Sequence, residues 1–241
     1  MALYDAIARI YDPWSASVTE DISFYLEEAK GCVGPVVELA VGSGRIAVPL
    51  AQAGHRVIGV DLSEGMLGVA RALAEENGVG GLVDLRVGDL REPPVDELVE
   101  LVICPFRSLL HMQDEKEKLW ALRAARDLLA PGGRFVFDVF APSPEDIAET
   151  DGLWLEREPG IFERADWDEA TRTLHLSVRS GDSSASMQLH WLSAIEWRRL
   201  IGEAGLEVAG LWGWFDRRPF KGGEDMIWAC RRPTGGVESA A

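Results

Sequence analysis

Val36-Val37-Glu38-Leu39-Ala40-Val41-Gly42-Ser43-Gly44-Arg45 joins a short β-branched run to a segment of helical period, with two glycines at the join. A chain that turns this tightly from strand into helix, bringing its backbone close to a ligand, needs glycine at such points. In an open α/β sheet the ligand crevice lies at the carboxyl ends of the strands, where this loop falls. Gly42-x-Gly44-x-x-Ala47 also satisfies the dinucleotide fingerprint, so the loop alone does not separate one nucleotide cofactor from another.

Outward from the loop, short β-branched runs alternate with helical stretches, the pattern of parallel strands buried on both faces. VVELA (36–40), RVIGVD (56–61), VDLRVGD (83–89), ELVIC (100–104) and RFVFDVF (134–140) read as five strands. GRIAVPLAQAG, SEGMLGVARALAEENG and DEKEKLWALRAARDLLAPGG read as the helices between them, the last two with Ser63 and Asp114 as N-caps. After Phe140 the rhythm changes, and LWLERE, TLHLSVR and SMQLHWLS predict three antiparallel strands. AIEWRRLIGEAG then returns to helix, followed by strands LEVAGLWGWF and DMIWACR. Before the first strand, YDAIARIYD and EDISFYLEEA read as two short helices. The expected organisation is a helical cap (1–33), an α/β core (34–141), a β insertion (142–193), the completion of the core by a terminal hairpin (194–232) and a tail (233–241).

The 241 residues suit one large domain. With 24 Lys+Arg against 40 Asp+Glu the net charge is −16, which repels phosphate backbones and anionic lipid. Nucleic acid and membrane are therefore not the expected partners. Cys32, Cys104 and Cys230 make neither a disulfide framework nor a zinc pattern, and no apolar run reaches the ~18 residues of a membrane span. A cytoplasmic protein without a bound metal is expected.

Asp61 ends the second strand, 17 residues after Gly44, where a carboxylate accepts hydrogen bonds from ribose hydroxyls. Asp89 ends the third, in VGDL, placed to read an adenine edge. Glu38 lies four residues before the first loop glycine and faces the crevice if its strand ends there; a carboxylate under a pyrophosphate would repel it, whereas under an ammonium or sulfonium it would help. A cationic cofactor is thus preferred.

With ELAVGSGR, GVDLSEGML, VGDL and LLAPGGRFVFDVF in this order and spacing, the chain resembles class I S-adenosylmethionine-dependent methyltransferases over nearly all of residues 4–232. The resemblance implies a Rossmann-like, doubly wound seven-stranded sheet with an antiparallel last strand, here with a small antiparallel β insertion after strand five. It implies that Glu38 holds the methionine end, lined by Ala40, Gly42 and Gly44. Asp61 would bind the ribose, Leu62 or Met66 pack near the adenine, and Asp89 with Leu90 read it. Ala40 stands where the family often has Gly, and Val41 where Cys is frequent. Tyr11 in IARIYD resembles a tyrosine that closes over the sulfonium in several small-molecule methyltransferases, with Trp14 assisting.

The segment from Cys104, itself a candidate at the cofactor, to His111 occupies the position that faces the methyl group in this family, and it lacks the Asn/Asp-Pro-Pro-Tyr signature of adenine or glutamine methylation. His111 is the first candidate for a base or an orienting group, since an ordinary histidine pKa near 6.5 suits proton removal; packing at a helix start is its competing role. His190 on the inserted sheet is a second candidate on the acceptor side. Arg107, Arg217 and Arg218 are candidate anchors for an anionic group of the acceptor. Seven of the nine tryptophans lie from Trp154 onward, enough aromatic surface for an acceptor pocket, a homodimer interface on the insertion, or ordinary packing. The expected reaction is methyl transfer from S-adenosylmethionine to N or O of a small-molecule acceptor. A nicotinamide-dependent oxidoreductase, disfavoured by Glu38 and VGDL, and a non-catalytic S-adenosylmethionine-binding interaction protein are the alternatives.

Overall fold

The computed structural model describes residue 14 and residues 19–234. Expectations placed on YDAIARIYD, Tyr11 among them, lie outside the described residues, as does the tail from 235. The first described helix, α1 (Glu20–Ala29), leads into β1 (Val36–Leu39), α2 (Ala47–Gln52), β2 (Val57–Asp61), α3 (Glu64–Glu76), β3 (Val83–Val87), β4 (Val99–Cys104), α4 (Glu115–Leu128) and β5 (Leu129–Phe140). Ser63 and Asp114 cap α3 and α4 as expected, their side chains accepting from the Met66 and Glu117 amides. The helix read through Gly133 ends instead at Leu128, because the chain passes directly into β5 and Ala130–Gly133 belong to the strand.

The seven-stranded sheet has the order β10-β11-β5-β4-β1-β2-β3, completed by β10 (Glu207–Trp212) and β11 (Asp225–Arg231). β1 to β5 pair in parallel, while β11 runs antiparallel to both β5 and β10. Successive side chains of a strand point to opposite faces, so a run such as Val36-Val37 serves two cores at once. Val36 packs with α1, α2 and α3 on one face, and Val37 with α4 and α6 (Ala194–Glu203) on the other. The chain reverses its direction of winding between β1 and β4, which opens a crevice at their carboxyl ends.

The insertion comprises α5 (Pro144–Thr150) and a separate antiparallel meander of β6 (Trp154–Glu158), β7 (Ile161–Asp168), β8 (Thr173–Ser180) and β9 (Ser183–His190). It has four strands where three were expected. The strand missed is β7, whose face shared by Ile161, Glu163, Ala165 and Trp167 carries a carboxylate that breaks the apolar alternation. That carboxylate is held by Arg157 at 2.9 Å and by the Trp14 indole at 3.1 Å.

Candidate active site

Two chambers meet at the end of the sheet. The first, of about 690 Å³, is walled by Ala40, Gly42, Asp61, Leu62, Met66, Asp89 and Leu90, seven of the residues expected at a cofactor. Its loop is built by backbone: Ala40, Gly42 and Gly44 have φ of 58°, 55° and 86°, a region natural for glycine and strained for alanine. Asp61 ties this loop to the next, accepting from the Gly42 amide at 2.9 Å and from the Ser63 amide at 2.8 Å. A carboxylate oxygen accepts more than one hydrogen bond, so the same group can also take a hydroxyl. Asp89 accepts from the Arg91 amide and guanidinium, which hold its carboxyl below the usual range.

Three residues expected at the cofactor are not on this wall. A Cβ on Gly44 would come within 3.2 Å of the Ala70 Cβ, so this glycine serves close packing of the loop on α3. Cys104 is fully buried, and burial pushes its thiol well up. Glu38 is buried beneath the loop with its Oε2 lacking a hydrogen-bond partner among the described residues. Burial raises its carboxyl well above the ordinary range, opposed in part by the charge of Arg45.

The second chamber, about 1890 Å³, lies between the sheet's end and the insertion, and Trp14, Arg107 and His111 line it. Phe106 and His111 line both chambers and so form their junction. The loop that carries Phe106 is unusual, with two successive non-glycine residues in the left-handed region, Phe106 at φ 58° and Arg107 at φ 62°. A single buried carboxylate holds it: Asp138 of β5 accepts from the Phe106 amide at 2.9 Å, the Arg107 amide at 3.0 Å and the Tyr25 hydroxyl at 2.7 Å. The Arg107 side chain reaches Asp225 at 2.8 Å and lies over the Phe140 ring. α1 adds two more anchors to the same framework. Asp21 takes the Arg45 guanidinium in two hydrogen bonds of 2.7 and 2.5 Å, and Glu28 pairs with Arg134 and Arg217.

His111 does not keep the ordinary histidine pKa. Burial, helped by the charge of Lys118, lowers it to about 4, so the imidazole is neutral at physiological pH. Lys118 is itself buried, donates to the Met112 carbonyl, and is lowered to about 7 by its desolvation.

His190, Arg217 and Arg218 fall outside both walls. Arg217 stacks on the Phe24 and Trp212 rings beside Glu28, Arg218 pairs with Asp216 at 3.0 Å, and His190 ends β9 with its Nδ1 lacking a hydrogen-bond partner among the described residues. Of the late tryptophans, Trp167 and Trp214 line the second chamber, whereas Trp197 and Trp228 are fully buried in the core. Asp138 and Phe106 were not among the expected site residues. The signal for Asp138 was a lone acid inside the apolar run FVFDVF, since a carboxylate buried in a strand must find donors.

A family model described as a methyltransferase domain matches residues 36–133. The ubiquinone biosynthesis O-methyltransferase of Ruegeria pomeroyi is 31% identical over 184 residues, covering 72% of this chain and 69% of that protein. The chain belongs to the class I S-adenosylmethionine-dependent methyltransferases. This methyltransferase is also similar to a cypemycin N-terminal methyltransferase of a Streptomyces species, 25% identical over 231 residues and covering 88% of this chain and 92% of that one. Among solved structures it resembles the CcbJ methyltransferase of Streptomyces caelestis, with a TM-score of 0.83, 29% identity and coverage of 94% and 96%. S-adenosylmethionine is accordingly its methyl donor. Among the described residues no helix is long and apolar enough to cross a membrane.

Proposed function

We propose that this methyltransferase binds S-adenosylmethionine in the first chamber and seats a small-molecule acceptor in the second, with transfer to N or O at the Phe106–His111 junction. The observation that carries this reading is the meeting of the two chambers at those two side chains. The residues present fit the cofactor. A buried carboxylate without a partner, Glu38 Oε2, suits the ammonium of its methionine end, and Asp61 on the chamber wall is an acceptor for ribose hydroxyls. Leu62, Met66 and Leu90 supply the apolar surface for the adenine, with Asp89 at its edge. The relatives' names include both an N-terminal methyltransferase and O-methyltransferases, which leaves either nucleophile open.

When bound, the cofactor supplies a methyl group on a sulfonium, already activated for displacement. What remains for the chain is to align the acceptor's lone pair and keep water away. Phe106 is the apolar partition, fixed by the hold of Asp138 on its backbone. A histidine titrating near 4 is too weak a base for work at neutral pH, so His111 acts as a neutral hydrogen-bonding group that orients the acceptor. Arg107, neutralised by Asp225, shapes the wall, and Trp14 closes one side through Glu163. The insertion, residues 142–193, is the acceptor-side unit. Its edge strand β6, next to exposed Leu153 and Trp154, is the surface offered for a homodimer, tested by sedimentation velocity. The free thiols Cys32, Cys104 and Cys230 fit a reducing, cytoplasmic setting.

Calorimetric titration with S-adenosylhomocysteine, with NAD and NADP in parallel, tests the reading. Micromolar binding of S-adenosylhomocysteine, abolished by Gly42→Val, is expected, because a branched side chain there enters the wall of the first chamber. Undiminished binding to that variant would place the cofactor elsewhere.

A further inference from the structure

The second chamber is chemically two-sided. The part of its insertion wall given by β8 and β9 is apolar, built from the cross-strand pairs Leu174 with Leu189 and Leu176 with Met187, flanked by Leu155 and Ala165. Carboxylates line the rest, Asp146 and Glu163 from the insertion and Asp21, Asp138, Glu224 and Asp225 from the core, against two guanidinium groups among the described residues, Arg107 and Arg157. Five of these carboxylates are already engaged. Asp21 holds Arg45, Asp225 holds Arg107, and Glu163 holds Arg157. Asp138 is occupied by its three donors, and Asp146 caps α5 through Ser143.

Glu224 is the exception. It is partly buried, it lines the chamber, and its carboxylate makes no hydrogen bond or ion pair among the described residues. Burial raises its pKa, with the charges of Asp225 and Asp146 acting the same way and those of Arg107 and Arg157 opposing them. Both guanidinium groups are committed to other carboxylates, so neither supplies the missing partner. Glu224 directly precedes Asp225, the partner of Arg107, which in turn follows Phe106 at the junction. Trp214 and Phe215 line the same chamber, and aromatic faces attract cations.

We infer that the acceptor carries an ammonium group and an apolar body, the ammonium received by Glu224 as an anchor separate from the N or O that takes the methyl group, and the apolar part laid against the leucine pairs of β8 and β9. An anionic acceptor would meet a wall of carboxylates, and a neutral alcohol would leave Glu224 partly desolvated without a counter-charge. An ammonium brings both the charge and the donors that this carboxylate lacks. The inference rests on the reading of the second chamber as the acceptor site.

Hexylamine, hexanol and hexanoate share one apolar body and differ in charge, so they are the probes. Each is titrated calorimetrically into the whole enzyme saturated with S-adenosylhomocysteine, with tryptophan fluorescence as a second reading. Hexylamine is expected to bind about tenfold more tightly than hexanol, with hexanoate weakest. Glu224→Gln brings hexylamine to the level of hexanol while leaving hexanol unchanged, and Glu224→Lys makes hexanoate the strongest of the three. Equal affinities in the wild type, no hexylamine binding, or a preference that survives Glu224→Gln would overturn the inference alone. Failure of the enzyme to bind S-adenosylhomocysteine in the first step would overturn the underlying functional reading, and this inference with it.

Discussion

Replacing Asp138 by Asn removes one of two oxygens from a point where three donors converge. Oδ1 accepts from the Tyr25 hydroxyl and the Phe106 amide, and Oδ2 from the Arg107 amide, at 2.7, 2.9 and 3.0 Å. An amide side chain has a single acceptor oxygen, and its NH₂ can only donate. Whichever way the substituted side chain is turned, at least one donor faces another donor inside the core. A buried polar group left unsatisfied costs about 1–3 kcal/mol. Relaxation of the two left-handed residues, each costing about 1–2 kcal/mol in that conformation, returns part of this. The net loss is about 0.5–2 kcal/mol, or a melting temperature lower by roughly 1–8 °C in a chain of this size. The relaxation has its own consequence, because it moves Phe106 off the junction. A displacement of about 1 Å at a reacting centre is worth on the order of 100-fold in rate, so turnover should fall far more than S-adenosylhomocysteine affinity. Differential scanning calorimetry and kcat measured with any accepted amine or alcohol read the two effects. An unchanged melting temperature together with wild-type kcat would refute the role given to Asp138. Its titration supplies a further check. Burial, reinforced by Asp21 and opposed by the Tyr25 hydrogen bond, pushes this carboxyl up to about 6, above the unfolded value near 4. The native state therefore binds more protons between those values, and the stability contributed is full below about pH 4 and lost as pH rises through 6. An amide does not titrate, so the wild-type margin over the variant widens as pH falls from 7 to about 4.5. A margin that narrows on acidification contradicts the raised value.

Ala40→Gly relieves a left-handed alanine at φ 58°. The relief of about 1–2 kcal/mol exceeds the roughly 0.5–1 kcal/mol of added unfolded-state entropy, so the variant should melt about 1–4 °C higher; a lower melting point rejects the strain. Lys118→Met removes a buried amine whose pKa falls from 10.5 to about 7 through desolvation. Between these values the native state binds fewer protons than the unfolded chain, so wild-type stability rises with pH across that window. Chemical denaturation should find the Met variant's advantage greatest at or below neutrality and fading towards about pH 10. The same variant removes a charge that depresses His111, so NMR titration should move the His111 pKa upward from about 4. Burial raises the Glu38 carboxyl, and an ammonium arriving beside it favours the charged form. S-adenosylhomocysteine binding should therefore weaken on acidification as this carboxyl takes up a proton, followed by calorimetric titration across pH. Glu38→Gln should bind more weakly with a flatter pH profile, and wild-type affinity in that variant argues against the ammonium contact.

The wall of the first chamber, where the cofactor is proposed to bind, was legible because its residues are local in sequence. Ala40, Gly42, Asp61 and Asp89 each sit within a few residues of a strand end, and periodicity alone locates strand ends. The left-handed loop geometry that places them follows from glycines visible in the sequence. The second chamber is assembled from contacts that no window of sequence contains. Asp138 meets Tyr25 from 113 residues away and Phe106 from 32, so FVFDVF announced a buried acid without naming its donors. The β7 strand was concealed by Glu163, an inward-facing carboxylate whose partner Arg157 lies on the preceding strand segment. His111 was read with an ordinary pKa because the burial that depresses it depends on Lys118 and on the packing around both.

This division has a physical consequence for specificity. The wall of the first chamber is held by backbone geometry and by Asp61, which ties two loops together, so replacing Asp61 disturbs the loops as well as the proposed site. The wall of the second chamber is held by side chains of a separate four-stranded sheet and by a helix anchored through Asp21, Tyr25 and Glu28, with Glu224 lining it without a partner among the described residues. Exchanging Leu176 or Met187 reshapes the second chamber without reaching the glycine loop, and under the proposal above exchanging Glu224 changes the charge it selects. On the proposed reading, a methyltransferase built this way can change its acceptor while Asp138 keeps Phe106, and with it the proposed line of attack on the methyl group, where it is.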